Sequence, residues 1–494
     1  MSDCDHEFHS FSWIDPTGRL FWREGQLYRG IRSARSELYR RMFAQGIVQN
    51  LVENKLLIDS SITELSTAEF PLILQHRILP VVSFPSEWCS GQLKAAALMV
   101  LDLEIALRAS GLTVEDVNPW NLLFDGPQPV FVDFSAIAPI GDPRDWRGRR
   151  LFREFFLNPL ALFEQGLGRI ARRMLYDPWT GVTDYEIERI RTFDGESLSG
   201  PQIVYRMLKK IGKAPIPVRL RPAVKNAAHA VADALFAGSR KPREPDDALD
   251  EILALRERVV AMAVEGPRTS WGKYYDKNFP GFEASPAWTQ KHRSVNEIIL
   301  KLEPRSLLDF GANRGWYSQL AAHRGIRVIA ADSDESALNQ LYNDSAVAKT
   351  ENVCAVYLDA KFPEPARGPA YQFLESAAKR FRSDMVLALA VVHHLVFSGN
   401  LSFEQIVRNF RMFCGQWLVV EFVGPEDPAV RCFPSAATRP WYNEGNFRSA
   451  LNEQFDIIET LPSDIGGLDI VGEGPDARTI FVCEAKGWAR AEDA

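Results

Sequence analysis

The 494-residue chain is short of several things. It has no excess of positive charge: 57 Lys and Arg stand against 64 Asp and Glu, a formal charge of −7, which leaves no basic footprint for nucleic acid. Its six cysteines (Cys4, Cys89, Cys354, Cys414, Cys432, Cys483) are scattered, with no C-x-x-C pair. This argues against a zinc site or a disulfide framework and fits the reducing cytoplasm. The longest apolar run, Met385–Phe397, is too short to span a bilayer and carries two histidines, so no membrane association is expected. The polar, acidic MSDCDHEFHS start is unlike a signal peptide. No internal repeat, low-complexity tract or His/Asp cluster appears, and no metal is expected. What remains is an ordinary globular composition, 46% hydrophobic and 24% charged, long enough for about two or three domains.

What is there centres on Leu307–Asp332, LLDFGANRGWYSQLAAHRGIRVIAAD. An apolar run, Ser306–Phe310, is broken by Gly311-Ala312-Asn313-Arg314-Gly315. Trp316–His323 has helical composition, and Arg327–Ala331 is a second apolar run ending on Asp332. This is a βαβ unit with a glycine loop at its first turn and a carboxylate at the tip of its second strand, the pattern that holds a ribose-containing cofactor. Glycine lets the backbone approach a ligand closely, and the acid accepts hydrogen bonds from ribose hydroxyls. The loop is G-x-x-x-G rather than the G-x-G-x-x-G of dinucleotide sites. With Asp309 ahead of it, D-x-G-x-x-x-G resembles the first motif of class I S-adenosylmethionine-dependent methyltransferases. Asn313 stands at the usual middle glycine and is the residue that best tolerates a left-handed backbone.

Downstream the alternation continues. Helices are expected at Glu335–Tyr342, Ala370–Phe381, Phe403–Phe413 and Phe447–Gln454. Strands are expected at Asn352–Tyr357, Asp384–Val392, Trp417–Phe422, Phe455–Thr460 and Thr479–Glu484. Ending in two strands without a full helix between them implies a parallel sheet with an antiparallel last strand. Candidate site residues then fall at consecutive strand tips: Gly311, Asn313 and Gly315, Asp332, Asp359, Ala390 with His393 and His394, and Glu421.

The N-terminal half is less regular. Its informative stretch is LTVEDVNPWNLLFDGPQPVFVDFSAI, residues 112–137. Asp116 and Asn121 stand as D-x-x-x-x-N, and two short strands joined by DGPQP lead to Asp133-Phe134-Ser135. This resembles the catalytic segment of the protein-kinase-like fold, in which such residues serve as base and metal ligands. Val114 stands at the expected His, Ser135 at the last Gly, and no glycine-rich phosphate loop or V-A-I-K-type lysine precedes them. Asp116, Asn121 and Asp133 are therefore read as a vestigial kinase-like site.

Taken together, LDFGANRG, LALAVVHHL and VVEFVGPEDP, with the upstream FPSEW and EDVNPWN, are similar to the bacterial NoeA-like (nodulation protein) methyltransferase group across both halves. The resemblance implies an α/β C-terminal domain of seven strands at 290–494, in Rossmann-like class I methyltransferase order. Before it come an α+β N-terminal domain at 1–245, of kinase-like fold in one reading, and a linker helix and lid segment at 246–289. It implies a cytoplasmic enzyme using S-adenosyl-L-methionine held by Asp309, Gly311, Asn313, Gly315, Asp332, Asp359 and Ala390. His394, His393 and Glu421 are the candidate catalytic residues. The absence of a D/N-P-P-Y tetrapeptide argues against amino-group methylation of DNA or of a glutamine side chain. O-methylation is slightly favoured, on a small-molecule or carbohydrate acceptor, with a protein acceptor as a further option. Two other classes stay open: a kinase-like phosphotransferase or nucleotide-binding regulator, and a protein that binds S-adenosylmethionine without turnover.

Overall fold

The structure, a computed structural model, describes residues 7–9, 12, 15–193, 247–264, 269, 279–464 and 478–487. In the C-terminal half the strands are β10 (Ser306–Phe310), β11 (Arg327–Asp332), β12 (Val353–Tyr357), β13 (Ser383–Ala388), β14 (Cys414–Val423), β15 (Phe455–Pro462) and β16 (Arg478–Ala485). They form one sheet in the order β12-β11-β10-β13-β14-β16-β15. β16 runs antiparallel to β14 and β15, and the remaining pairs are parallel. This is the parallel sheet with an antiparallel last strand expected from the alternation. The parallel strands are buried along nearly their whole length, as strands covered by helices on both faces must be. The helix Phe403–Phe413 shows why its sequence folds so. Ser402 caps it in a box with Gln405, and Phe403, Ile406, Val407, Phe410 and Phe413 form its buried stripe. Chain order reverses between β10 and β13, which opens the crevice where such sheets bind ligands.

Two expectations here need correcting. Ala370–Phe381 is not one helix: a turn at Pro369–Tyr371 is followed by a short helix, Ala377–Arg380. Gly368, Ala370 and Tyr371 all have positive φ, which a right-handed helix cannot include. The strand expected to run to Val392 stops at Ala388, and Val392–Phe397 is helical.

The N-terminal half opens with β1 (Glu7–Phe8), β2 (Gly18–Arg23), β3 (Gln26–Ile31), β4 (Ser60–Ile62) and β5 (Leu72–His76). They form an antiparallel sheet in the order β1-β2-β3-β5-β4. The Ala- and Leu-rich helix Ser90–Arg108 is the spine of this half and buries Leu93, Ala97, Val100, Leu103 and Leu107. The expected hairpin is present as β7 (Leu122–Asp125) and β8 (Gln128–Phe131), with β6 (Leu112–Val114) pairing β9 (Ile137–Pro139). Pro159 stands in the first turn of the helix Asn158–Glu164, directly after a π-turn at Arg153–Leu157. Such a turn shifts the hydrogen-bond register just where proline lacks a donor. Helix Asp247–Ala261 lies against the spine, tied by Arg256 to Asp102 at 2.6 Å. The segment 194–246 and part of the expected linker and lid segment, residues 265–268 and 270–278, lie outside the described residues.

The two halves share one contiguous apolar core. Polar contacts reinforce it. Glu87 and Arg380 form a bidentate ion pair at 2.5 and 2.7 Å, both side chains sealed from water. Arg367 donates to the Tyr176 carbonyl, and Gly91 N–H to Asn339 Oδ1 at 2.8 Å.

Candidate active site

The site is built at the carboxyl ends of the parallel strands. The loop after β10 turns on left-handed residues: Gly311 at φ 70°, Asn313 at 52° and Gly315 at 73°. Asn313 thus adopts the conformation that made it an acceptable substitute for glycine. A Cβ at Gly311 or Gly315 would meet the Val391 or Leu341 side chain, each at 2.4 Å, so the neighbour would have to shift. The loop N–H groups of Gly311 and Ala312 donate to the Ala331 carbonyl at 2.8 and 3.0 Å, which binds the loop to the second strand.

Asp332, at the tip of β11, is half-buried. Its Oδ2 accepts from Asn313 N–H at 2.7 Å and its Oδ1 from Asp334 N–H at 2.8 Å. A carboxylate has about four acceptor positions, and the N–H groups of Asn313, Asp334 and Ser333 engage three of them, which leaves room for a hydroxyl donor. Burial pushes this carboxyl up to about 6, against the pull of those N–H groups. Asp309, within β10, accepts from Ser318 Oγ at 2.6 Å, and burial raises it to about 7. It is sealed inside, so it braces the loop and the following helix and does not face a ligand directly. Asp359 follows β12 and accepts from Lys361 N–H at 2.9 Å.

After β13, Ala390 holds φ 56°, a strain of order 1–3 kcal/mol for a residue with a Cβ. It aims the chain into the short helix that carries the histidines. His393 is buried at 2% exposure, and its Nδ1 has no hydrogen-bond partner among the described residues. Burial, then the neighbouring His394, lower its pKa to about 2. His394 is half-buried, its ring 4.1 Å from that of His393, and burial lowers it too. Both imidazoles are neutral near pH 7.

Glu421, on β14, is fully buried. Lys291 Nζ donates to its Oε2 at 2.6 Å and Ser463 to its Oε1. Sequence reasoning missed Lys291 and Ser463. Lys291 lies in the first turn of helix Gln290–Leu302, before the sheet begins, and carries no motif. Its charge acts on Asp309 and His393 and lies 5.5 Å from the Tyr317 ring. It therefore sits among the tips of β10, β13 and β14. A carboxylate committed to a buried lysine and a serine is a structural anchor rather than a free base. The described part of the expected lid, 279–289, packs on the helix after the glycine loop. Trp316 Nε1 donates to the Pro280 carbonyl at 2.8 Å, and the Trp288 ring meets Trp316 edge-on at 5.6 Å.

In the N-terminal half, Asn121 Nδ2 donates to the Asp116 carbonyl at 3.1 Å, and burial raises the Asp116 carboxyl. Asp133 pairs with Arg29 of β3 at 2.7 Å, and the same guanidinium donates to Ser135 Oγ at 2.8 Å. Arg29 is another residue without a sequence signal.

No protein-family model matches the chain. The chain is 28% identical over 462 residues to the nodulation protein NoeA of Rhizobium meliloti (strain 1021), spanning 90% of this chain and 92% of that protein. The similarity runs through both halves, as the motifs indicate. Solved structures of similar proteins include a SAM-dependent methyltransferase from Aquifex aeolicus (13% identity, TM-score 0.29, 44% of this chain and 99% of that one). Another is the magnesium protoporphyrin IX methyltransferase of Synechocystis PCC 6803 (12%, 0.29, 43% and 92%). A third is the bifunctional kinase-methyltransferase WbdD (13%, 0.30, 43% and 46%).

Proposed function

We propose that the chain is an S-adenosylmethionine-dependent methyltransferase acting on an oxygen of a small-molecule or carbohydrate acceptor. The observation that carries the reading is the Asp332 carboxylate. It stands at the tip of the second strand, hydrogen-bonded to the left-handed loop of the first strand, in a sheet of class I order. That donor set fits the cofactor. Asp332 would take the ribose hydroxyls, Gly311–Gly315 would lie beside the methionine portion, and Asp359 would serve the adenine amine. When bound, the cofactor supplies an electrophilic methyl group.

The chain's own residues do the rest. The short helix beginning at Val392 brings two neutral imidazoles to the tip of β13, where the acceptor meets the methyl group. A neutral imidazole can take the proton that an attacking hydroxyl must lose. His394 is the better candidate, because His393 is more deeply sealed and its cationic form is more strongly disfavoured. Lys291 and Ser463 hold the buried Glu421 carboxylate of β14. Radiolabelled methyl transfer to acceptor fractions, with His394→Asn as the comparison, tests the assignment.

A kinase-like reading of the N-terminal lobe has one specific support: Asn121 donates to the Asp116 carbonyl and the Asp133 charge acts on Asp116, so the three residues lie near one another. Its divalent metal, however, would have to displace Arg29, whose charge already meets Asp133. We read the lobe as a scaffold without metal-dependent phosphotransfer. Calorimetry should show no magnesium-dependent ATP binding, and a magnesium-dependent heat would reverse this.

A further inference from the structure

We propose that the N-terminal half completes the cofactor site, with Arg172 as the positioning residue that makes the connection. This rests on the methyltransferase reading and extends it to a part of the chain outside the seven-stranded sheet.

Arg172 lies on the helix Gly168–Met174, far in sequence from the sheet, and is only 12% exposed. One guanidinium nitrogen donates to the carbonyls of Ser86 and Trp88, at 3.0 and 2.6 Å. The other donates to Glu335 Oε2. The guanidinium plane also covers the Tyr357 ring, 3.6 Å from its centroid. Both targets belong to the cofactor end of the sheet. Glu335 is the first residue of the helix that follows Asp332. Tyr357 ends β12 and is the register partner of Asp332 across the parallel ladder. The cation thus grips the end of β12 and the first turn of the helix after β11, beside the proposed adenine and ribose positions.

The same turn is held from the N-terminal half at further points. Ser90 N–H donates to Glu335 Oε1 at 2.6 Å, and Gly91 N–H to Asn339 Oδ1 at 2.8 Å. Gln92 Nε2 donates to the Ala355 carbonyl inside β12 at 3.0 Å. The first turn of the N-terminal spine helix therefore meets the first turn of the helix after Asp332. Within the turn, Asp334 N–H donates to Asp332 Oδ1 at 2.8 Å, and Asp334 Oδ1 caps Ala337 N–H at 2.9 Å. Arg172 thus holds Glu335, the covalent neighbour of Asp334, and the Asp334 N–H in turn donates to the Asp332 carboxylate. A site held in place before binding loses less entropy when the ligand arrives. Removing the grip should weaken the adenosine end of the site and leave the methyl-transfer end untouched.

The test uses the full chain and two probes, S-adenosylhomocysteine and 5′-methylthioadenosine, which lacks the amino-acid portion. Arg172→Met keeps the apolar stem and removes the cation. We expect both probes to weaken by about tenfold, the loss that follows when part of the site's preorganisation must be recovered on binding, with the ratio of their affinities unchanged. Where an acceptor is in hand, KM for the cofactor rises and kcat at saturation stays within about threefold. General loosening of the site would change the affinity ratio as well, because contacts to the amino-acid portion would also be lost, and that result overturns the proposal. Wild-type affinity in folded Arg172→Met overturns it too. If Arg172→Met does not fold, Glu335→Gln decides, since it keeps the shape and removes the charge. The same loss and constant ratio are expected there, and wild-type affinity overturns the proposal. Failure of the unmodified chain to bind either probe would instead refute the methyltransferase reading.

Discussion

The ion pair between Glu87 and Arg380 offers a test of how the two halves are joined. Glu87 sits in the FPSEW turn of the N-terminal half and Arg380 ends the short helix before β13. Their side chains are 1% and 2% exposed. Glu87 accepts two bonds from the guanidinium, at 2.5 and 2.7 Å, and a third from Phe84 N–H at 2.7 Å. Glu87→Ala removes all three and leaves the Arg380 charge sealed with the carbonyls of Val82 and Glu375, the ring of Phe84 and, without a direct bond, the Glu364 carboxyl. Breaking one side of a buried pair costs about 3–5 kcal/mol. At about 2–4 °C per kcal/mol for a cooperative unit of domain size, the melting temperature should fall by about 6–20 °C. Calorimetric scans of the two proteins make the comparison. Two controls bracket it. Glu453→Ala, which breaks the exposed 3.7 Å pair with Arg408, should change stability by no more than about 1 kcal/mol. Glu87→Met combined with Arg380→Leu should recover most of the loss, because two apolar side chains leave no uncompensated charge. If Glu87→Ala melts within about 2 °C of the unmodified chain, the pair does not hold the halves together and the argument is wrong.

Other outcomes follow from the site. Gly311→Ala should cost about 1–2 kcal/mol from left-handed strain alone, more if Val391 cannot move, and should weaken cofactor binding; a urea titration with an S-adenosylhomocysteine titration reads both. Asp309 and Asp332 have folded pKa values of about 7 and about 6, above an ordinary 3.8. The fold then binds their protons more tightly than the unfolded chain does, so their contribution to stability is present below 3.8 and is lost as pH rises through those values. The urea midpoint of the ligand-free protein should fall across that window and Asp309→Asn should flatten the fall; a slope unchanged by Asp309→Asn would contradict the assignment. His394→Asn should lower kcat by about 100-fold or more without changing cofactor affinity, as loss of a general base does, whereas an unaltered rate would remove His394 from the chemistry.

The C-terminal sheet was legible because its signals are local. Each parallel strand is an apolar run, and each tip is marked by a glycine, an acid or a histidine within a few residues. Asn313 was readable as a left-handed residue from its type alone. The misjudged segment around Ala370 failed because its composition is helical while Gly368 and Pro369 impose a turn. Glu421 looked like a free carboxylate at a strand tip; its commitment to Lys291, 130 positions away, is a tertiary fact without a local pattern. The same holds for Arg172 with Glu335 and for Arg29 with Asp133. Long-range ion pairs use residues that are ordinary on any surface, so only the fold distinguishes them. The NoeA similarity reaches both halves of the chain, in keeping with halves that are packed on one core.

The most direct test of the central claim is calorimetric titration of the full chain with S-adenosylhomocysteine, beside Asp332→Ala. The account predicts one site of micromolar affinity in the unmodified chain, with binding lost in the variant while its fold, read by circular dichroism, is kept. No binding by the unmodified chain, or equal binding by Asp332→Ala, would contradict it.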